Sequence, residues 1–222
     1  MKILPPCSEK ELLERAKSIA GLTIGELAKK QVKTIPETLH RDKGWIGQLL
    51  ETILGATAGS RAEPDFQQLG IELKTIPIDK DGKPRESTYV CTVSMMQMYE
   101  QSWHTSNVYK KLARVLWIPI ESDTSIPIAN RIIGNPLLWS PEASIEKILR
   151  QDWEEFAEII SLGQITHINA RQGIYLQIRP KAAHSHILCE AIGLNGKKIL
   201  TLPKGFYLRT LFTQKILQTH YW

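Results

Sequence analysis

The sequence is poor in cysteine, with three among 222 residues, and the three lie far apart. The cysteines form no C-x-x-C motif and are odd in number, at Cys7, Cys91 and Cys189. This argues against both a zinc ribbon and a disulfide framework. Long apolar runs are also missing, and none approaches the roughly 18 residues that a membrane-spanning helix requires. The first residues carry too short an apolar stretch for a secretory signal peptide. These absences predict a cytoplasmic protein without a membrane partner.

Acidic residues are almost absent from residues 164–222, where Glu190 is the only one. The same segment holds eight basic residues and a net charge of +7, whereas residues 1–163 hold 20 basic and 22 acidic residues, a net charge of −2. A basic end on a near-neutral body suggests a polyanion such as nucleic acid as the partner. Composition leaves a solvated basic surface open as the alternative. The eight residues are Arg171, Arg179, Lys181, Lys197, Lys198, Lys204, Arg209 and Lys215.

The pattern of elements predicts an α/β fold (α+β, with a mixed sheet) built on one central sheet. Capping boxes at Ser8–Glu11 and Thr23–Glu26 predict the starts of the first two helices. The turn at Asp81–Gly82 predicts that the strands on either side pair as a hairpin. Apolar periodicity predicts helices at 8–19, 23–31, 44–56, 106–112, 140–163 and 182–192 and a last short helix, with strands at 71–76, 87–94, 114–120, 165–168, 174–179, 199–203 and 206–210.

Glu72 and Lys74 lie two residues apart in a predicted strand, so their side chains point to the same face. Asp65 can approach this face if the chain turns between residues 65 and 70. Carboxylate oxygens are ligands for Mg²⁺, and a lysine beside them can orient water and offset negative charge on a phosphate. The three residues therefore suit phosphodiester hydrolysis. The alternative is a chance E-x-K on a solvated strand face, joined by a weak ion pair.

Glu51 lies on a predicted helix in a stripe with Gly47 and Gly55, opposite the apolar face. Glycines one turn on either side of an acid leave room for a metal ion or a backbone segment to come close. The alternative is an exposed helical glutamate with no special role.

Four ordered segments together resemble the MutH family, the strand-discriminating endonucleases of methyl-directed mismatch repair. They are RDKGWIG at 41–47, GIELKTIP at 70–77, IRPKA at 178–182 and LPKGFYL at 202–208. The resemblance implies a restriction-endonuclease-like fold, with two lobes around a DNA-binding cleft in a single domain covering 1–222. The catalytic lobe is then expected mainly in the first half, and the basic recognition lobe mainly in 164–222.

The resemblance also implies the residues of the nuclease centre. Glu51, Asp65 and Glu72 are the implied metal ligands, and Lys74 and Lys111 are implied to act beside them at the scissile phosphate. Mg²⁺ is the implied cofactor, with Mn²⁺ or Ca²⁺ able to occupy the same site.

For DNA recognition, the resemblance implies a base-reading arginine at Arg179 and an adenine-contacting tyrosine at Tyr207. At position 89 the family leads us to expect phenylalanine, and Tyr89 keeps the aromatic ring. The implied DNA contacts are Lys43, Tyr89, Arg179, Pro180, Lys181 and Tyr207.

The activity implied is nicking of the unmethylated strand at hemimethylated GATC, 5′ to the G. The implied partners are double-stranded DNA with GATC sites, MutL as activator and MutS indirectly, and a monomer is expected. A GATC-specific restriction endonuclease that cuts both strands and a DNA-binding module without catalysis are the alternatives.

Overall fold

The protein is described here by a computed structural model that covers residues 3–39, 42, 44–59, 61–182, 184 and 186–221. Within these ranges the helices are α1 (Glu9–Ile19), α2 (Ile24–Lys30), α3 (Trp45–Leu54), α4 (Asn107–Leu112), α5 (Ala143–Ser161) and α6 (Thr210–Tyr221). The strands are β1 (Glu72–Ile78), β2 (Thr88–Thr92), β3 (Val115–Glu121), β4 (Leu137–Trp139), β5 (Leu176–Pro180), β6 (Cys189–Ile192), β7 (Lys198–Thr201) and β8 (Lys204–Leu208). Across the described residues, no helix combines the length and apolar character needed to span a membrane.

The chain divides into two compact units, each assembled from segments that are distant in sequence. The first unit comprises Met1–Glu86, Ala113–Ser140 and Gln214–Trp222, and the second comprises Ser87–Leu112 and Pro141–Thr213. The chain therefore passes from one unit to the other four times. The placement of a catalytic lobe in the first half and a recognition lobe in 164–222 stays a prediction.

The first unit contains a mixed sheet in the order β1-β3-β4. β1 runs parallel to β3, with Glu72 opposite Val115, and β4 is antiparallel to β3. β3 is buried along almost its whole length, as expected for an apolar strand in a sheet that is covered on its faces. Residues from α1, α2 and α3 share one apolar core with β1 and β3, including Leu12, Leu27, Leu50, Leu73 and Leu116.

Side-chain caps fix the first two helices where the sequence predicts them. The Ser8 side chain accepts a hydrogen bond from the backbone N–H of Glu11 and begins α1. Thr23 and Glu26 form the complete reciprocal capping box of α2. Both caps satisfy amide groups that a helix start leaves unpaired, so the two starts are confirmed.

The second unit contains an antiparallel sheet in the order β2-β8-β5 and a separate two-stranded ribbon of β6 and β7. The central strand β8 places Phe206 and Leu208 in the core, together with Leu176 and Ile178 of β5. α5 buries one stripe, which contains Leu149, Asp152, Trp153, Phe156 and Ile160.

Two predictions about strand pairing are wrong. One central sheet was expected, but the described strands form three separate sheets. The predicted hairpin is absent because β1 pairs with β3 and β2 pairs with β8. The turn itself exists, since the Asp79 amide donates to the Lys83 carbonyl at 2.9 Å and Gly82 has a φ of +74°. Beyond this turn the chain continues into the second unit, so pairing with β1 ends after one bridge between Ile78 and Pro84.

The predictions for 165–168 and 182–192 fail for local reasons. Residues 165–167 form a short 3₁₀ helix directly after α5. The described part of 182–192 is not helical, and its last four residues are β6, paired with β7 from Cys189–Thr201 to Ile192–Lys198. Ladder hydrogen bonds formed with a later strand override a weak local helical pattern. The start of α5 also differs slightly, because Glu142 is its N-cap and Pro141 precedes the helix.

Candidate active site

Asp65 joins the end of α3 to the start of β1 through both its backbone and its side chain. Its carbonyl oxygen accepts from the amides of Thr57 (2.9 Å) and Ala58 (3.3 Å), which follow α3. Its carboxylate Oδ2 accepts from the backbone N–H of Leu73 at 2.8 Å, inside β1. The turn predicted between 65 and 70 is present and holds this buried carboxylate beside the first residues of β1.

Glu72 and Lys74 form an ion pair on one face of β1. Lys74 Nζ lies 2.7 Å from Glu72 Oε1, and the two side chains are only 9% and 4% exposed. Ile71 and Leu73 point to the opposite side and belong to the core. The strand alternation predicted from the spacing is therefore observed, and the alternative of a solvated surface pair is excluded by the burial.

The burial of this pair has a physical cost. Removing two charges from water is expensive, and the mutual attraction of the pair often does no more than offset that cost. Apolar residues at both positions would satisfy the fold equally well. A buried acid–lysine pair next to a second buried carboxylate, that of Asp65, is thus better explained by chemistry than by stability.

Glu51 lies near the end of α3, and its residue is half-buried. Its carbonyl accepts from the amides of Gly55 and Ala56, which closes the helix. Gly55 has a φ of +83°, and a Cβ there would meet the Leu4 carbonyl oxygen at 2.6 Å, so a backbone segment fills the space beside this glycine. Around Gly47, among the described residues, no atom outside its own helix backbone and its chain neighbours lies within 4 Å of the equivalent position. The role of Glu51 as a metal ligand stays a prediction.

Lys111 lies in α4 of the second unit and is buried, with 8% of its surface exposed. A lysine is almost never buried to this degree without a reason. Its predicted role at the scissile phosphate stays a prediction.

The carboxylates at β1 fit a divalent cation. Within the described ranges, no group of three His, Cys, Asp or Glu side chains converges on a single point. Mg²⁺ does not need such a group, because it keeps several waters and is commonly held by one or two carboxylates and substrate phosphate. Asp65 and Glu72 provide hard oxygen ligands of this kind, and Lys74 supplies a cation beside them.

Three of the predicted DNA-contacting residues, Tyr89, Arg179 and Tyr207, lie on one face of the antiparallel sheet in the second unit. Tyr207 on β8 is opposite Tyr89 on β2 and Gln177 on β5. Two residues further along β8, Gly205 is opposite Arg179 and Thr92. Cross-strand partners share a face, so this face is polar and aromatic while the other face is core. We call this set of six residues the recognition face.

Two tyrosines and a lysine are in direct contact on the recognition face or at its edge. The rings of Tyr89 and Tyr207 meet edge to face, with centroids 5.4 Å apart and an interplanar angle of 64°. Lys181 follows β5, and its Nζ lies 3.5 Å from the centroid of the Tyr89 ring in a cation–π contact. The Tyr89 hydroxyl forms a hydrogen bond of 3.0 Å with the Thr92 hydroxyl.

Arg179 is exposed and is oriented by Ser87, whose Oγ accepts from Arg179 Nη1 at 2.8 Å. This bond uses one N–H of the guanidinium, which leaves a fork of donors for an acceptor outside the protein. Pro180 is exposed and lies opposite Lys204 in the sheet. Partial burial lowers the pKa of the Lys204 ammonium below its ordinary value. Lys43, the remaining predicted contact, lies outside the described residues.

The strand that carries Arg179 is anchored by a buried carboxylate that the sequence analysis missed. Asp152 of α5 accepts three backbone N–H groups, from Ile174 (2.7 Å), Tyr175 (2.6 Å) and Leu176 (2.8 Å). The only sequence signal was an acid on the apolar stripe of α5. Ser87 was also missed, since a lone serine before a strand has no distinguishing pattern.

Comparison with known proteins gives an independent result. Residues 54–152 match the family described as DNA mismatch repair enzyme MutH, and this range includes Asp65, Glu72, Lys74 and Lys111. The DNA mismatch repair protein MutH of Serratia proteamaculans is 55% identical over 217 residues, which cover 98% of this chain and 95% of that protein. Proteins of the same name from Escherichia coli O6:K15:H31 and Vibrio campbellii are each 54% identical, over 98% and 97% of this chain and 95% and 96% of their own length.

Identity of this degree over nearly the full length of both chains is far beyond what a shared fold alone produces. It agrees with the ordered motifs of the sequence and with the buried acids and lysine of β1. The chain belongs to the MutH family, whose members have a restriction-endonuclease-like fold.

Proposed function

We propose that this protein, a DNA mismatch repair endonuclease of the MutH family, nicks the unmethylated strand of hemimethylated GATC sites on the 5′ side of the G. The observation that carries the proposal is the buried Glu72–Lys74 pair on β1, with the carboxylate of Asp65 bonded to the same strand. A protein that only binds DNA has no reason to gather carboxylates where they repel phosphates.

The metal-dependent nuclease would use Mg²⁺, held by Asp65 and Glu72 and, by family resemblance, by Glu51. When bound, the cation would lower the pKa of a coordinated water and would offset negative charge on the phosphate. Lys74 is within 2.7 Å of Glu72 and can orient the attacking water while offsetting charge on the phosphate oxygens. By family resemblance, Lys111 would be a second lysine near the scissile phosphate. Mn²⁺ or Ca²⁺ can occupy the same oxygen ligands.

Recognition of GATC would come from the recognition face. Arg179 is held by Ser87 so that its remaining donors can make a bidentate contact to guanine in the major groove. Tyr207 would lie against the exposed N6 hydrogen of adenine, where a methyl group cannot fit. The DNA next to Arg179 and Tyr207 would be contacted by Tyr89, Pro180, Lys181 and Lys43.

The wider setting follows from the family. We propose that MutL activates the enzyme after MutS has found a mismatch, and that the enzyme works as a cytoplasmic monomer with two lobes around the DNA. A monomer carries one active site and cuts one strand per binding event, unlike a restriction enzyme that cuts both strands.

The experiment is a nicking assay on a GATC duplex that is labelled separately on each strand and methylated on one. The proposal predicts a nick in the unmethylated strand, only with Mg²⁺, and a large loss of rate in Lys74→Ala and Asp65→Ala. DNA binding should persist in both variants, because most affinity comes from basic contacts with phosphates. A Lys74→Ala enzyme that nicks at nearly the wild-type rate would remove Lys74 from the mechanism.

A further inference from the structure

The rings of Tyr89 and Tyr207 occupy the space above Gly205, where any other residue would place its Cβ. A Cβ on Gly205 would lie 2.9 Å from Cε2 of Tyr89 and 3.2 Å from Cε2 of Tyr207. The first distance is shorter than real Cβ contacts allow, so a side chain at this position forces at least one ring to move. Gly205 does not have a positive φ, so space and not backbone conformation requires a glycine here.

Tyr89 is itself fixed by several neighbours besides the backbone of Gly205. Its hydroxyl is bonded to the Thr92 hydroxyl at 3.0 Å, and the Lys181 ammonium lies 3.5 Å from the centroid of its ring. It also makes the edge-to-face pair with Tyr207. A Tyr89 ring held at its hydroxyl and over its face is a rigid support for the Tyr207 ring.

We propose that Tyr89 and Gly205 are positioning residues that fix the ring of Tyr207 and thereby sharpen the discrimination between unmethylated and methylated adenine. This inference rests on the proposed role of Tyr207 as the methylation reader. The Tyr207 ring can exclude an N6-methyl group only if the ring cannot move, because a ring that rotates away leaves room for the methyl carbon. Gly205 supplies the space in which the two rings pack, and Tyr89 blocks the direction in which Tyr207 would swing.

The same arrangement lets Tyr89 position Lys181 as well. The cation–π contact holds the Lys181 ammonium beside the two rings, at the end of the strand that carries Arg179. Loss of the Tyr89 ring should therefore release Lys181 as well as Tyr207, whereas loss of the Tyr89 hydroxyl alone should release neither.

The test uses Gly205→Ala with Gly134→Ala as the matched control. A Cβ at Gly134 would lie 3.0 Å from Pro119 Cβ and 3.2 Å from Pro119 O, nearly the same crowding, and Gly134 also lacks a positive φ. Single-turnover nicking rates are measured on unmethylated, hemimethylated and fully methylated GATC duplexes, and the ratio of the unmethylated to the fully methylated rate is compared. We expect Gly205→Ala to lower this ratio at least about fivefold, which corresponds to about 1 kcal/mol of lost discrimination. Gly134→Ala should leave the ratio unchanged, even where both variants lower the Tm.

Tyr89 variants keep the test decisive if Gly205→Ala folds poorly. Tyr89→Leu should lower the ratio to a similar degree, and Tyr89→Phe should leave it within about twofold of wild type because the ring remains. Adding Gly205→Ala to Tyr89→Leu should cost less than it costs alone, since the nearest clash is gone. A purely structural role would lower all the nicking rates together and leave the ratio intact.

The outcomes separate this inference from the proposed function. A wild-type enzyme that nicks methylated and unmethylated duplexes equally would refute the proposed function. A second outcome is that the wild-type enzyme discriminates, that Tyr207→Ala does not, and that Gly205→Ala and Tyr89→Leu still do. This outcome would overturn the positioning role alone. Discrimination that survives Tyr207→Ala would overturn the inference together with the assignment of Tyr207.

Discussion

Replacing Lys74 with methionine is the most informative single change at β1. Methionine keeps most of the length of the side chain and removes the ammonium group that lies 2.7 Å from Glu72 Oε1. The Glu72 carboxylate then remains buried, at 3% exposure, beside the buried carboxylate of Asp65. The variant therefore loses the positive charge of the ion pair at the place where the cation is proposed to bind.

The size of the effect follows from the burial. At 2.7 Å and an effective dielectric constant of about 20, the gross attraction between the two charges is about 6 kcal/mol. Removing one partner of a buried pair costs about 3–5 kcal/mol of stability in comparable cases. We expect about 3 kcal/mol here, because a cavity is not created, and a Tm lower by about 6–12 °C for a chain of this size.

A divalent cation should recover part of this loss. Without the competing ammonium, the carboxylates are expected to bind Mg²⁺ about tenfold more tightly, which adds about 1.4 kcal/mol of stabilisation at saturating concentrations. Thermal unfolding is therefore measured with and without Mg²⁺ for wild type and Lys74→Met. The rise in Tm on adding Mg²⁺ should be larger in the variant by about 3–5 °C, although the variant does not nick DNA.

The control is Lys83→Met, which removes an exposed lysine from the turn after β1. It should change neither the Tm nor its response to Mg²⁺ by more than about 1 °C. If Lys74→Met responds to Mg²⁺ like wild type, or nicks DNA at the wild-type rate, the reasoning about a shared cation site is wrong.

Three further predictions concern Ser87, Asp152 and Glu9. Ser87→Ala should weaken GATC selectivity by about 3- to 10-fold but have no effect in an Arg179→Ala background, and nicking of GATC against duplexes with the G replaced measures this coupling. Asp152→Asn should lower the free energy of unfolding by about 2 kcal/mol in urea titrations, because an amide group cannot accept all three backbone N–H groups of the anchor. The hydrogen bond from Arg114 lowers the pKa of Glu9, so this pair stabilises the fold above the ordinary carboxylate pKa and loses that contribution as the pH falls through the lowered value. Glu9→Gln should accordingly cost about 0.5 kcal/mol at pH 7, since the pair is partly exposed, and less at pH 2. An equal loss of stability at both pH values would contradict the assignment.

Several features could be predicted from the sequence because their causes are local. The caps at Ser8 and Thr23 depend on residues three positions apart, and both helix starts form as predicted. The capping box is reciprocal at Thr23, whereas at the first helix the Glu11 carboxylate accepts from the Cys7 amide. The contact of Glu72 with Lys74 depends only on the alternation of a strand. The mixed α/β character of the fold is confirmed for the same reason, since apolar periodicity marks most helices and strands.

Features that depend on distant parts of the chain could not be predicted in this way. The pairing of β1 with β3 and of β2 with β8 is decided by which strands share a core, and no turn signal carries that information. The Tyr89 ring reaches the space above Gly205 from another strand, β2, so no local sequence pattern could reveal this packing. Lys43 lies outside the described residues, and its contact with DNA stays a prediction from family resemblance.

The most direct test of the central claim is a strand-resolved nicking assay with the wild-type protein on a duplex with one hemimethylated GATC site. In the presence of Mg²⁺ and MutL, the account predicts a single cut in the unmethylated strand on the 5′ side of the G, and an intact methylated strand. Cleavage of both strands, or of the methylated strand at an equal rate, would contradict it.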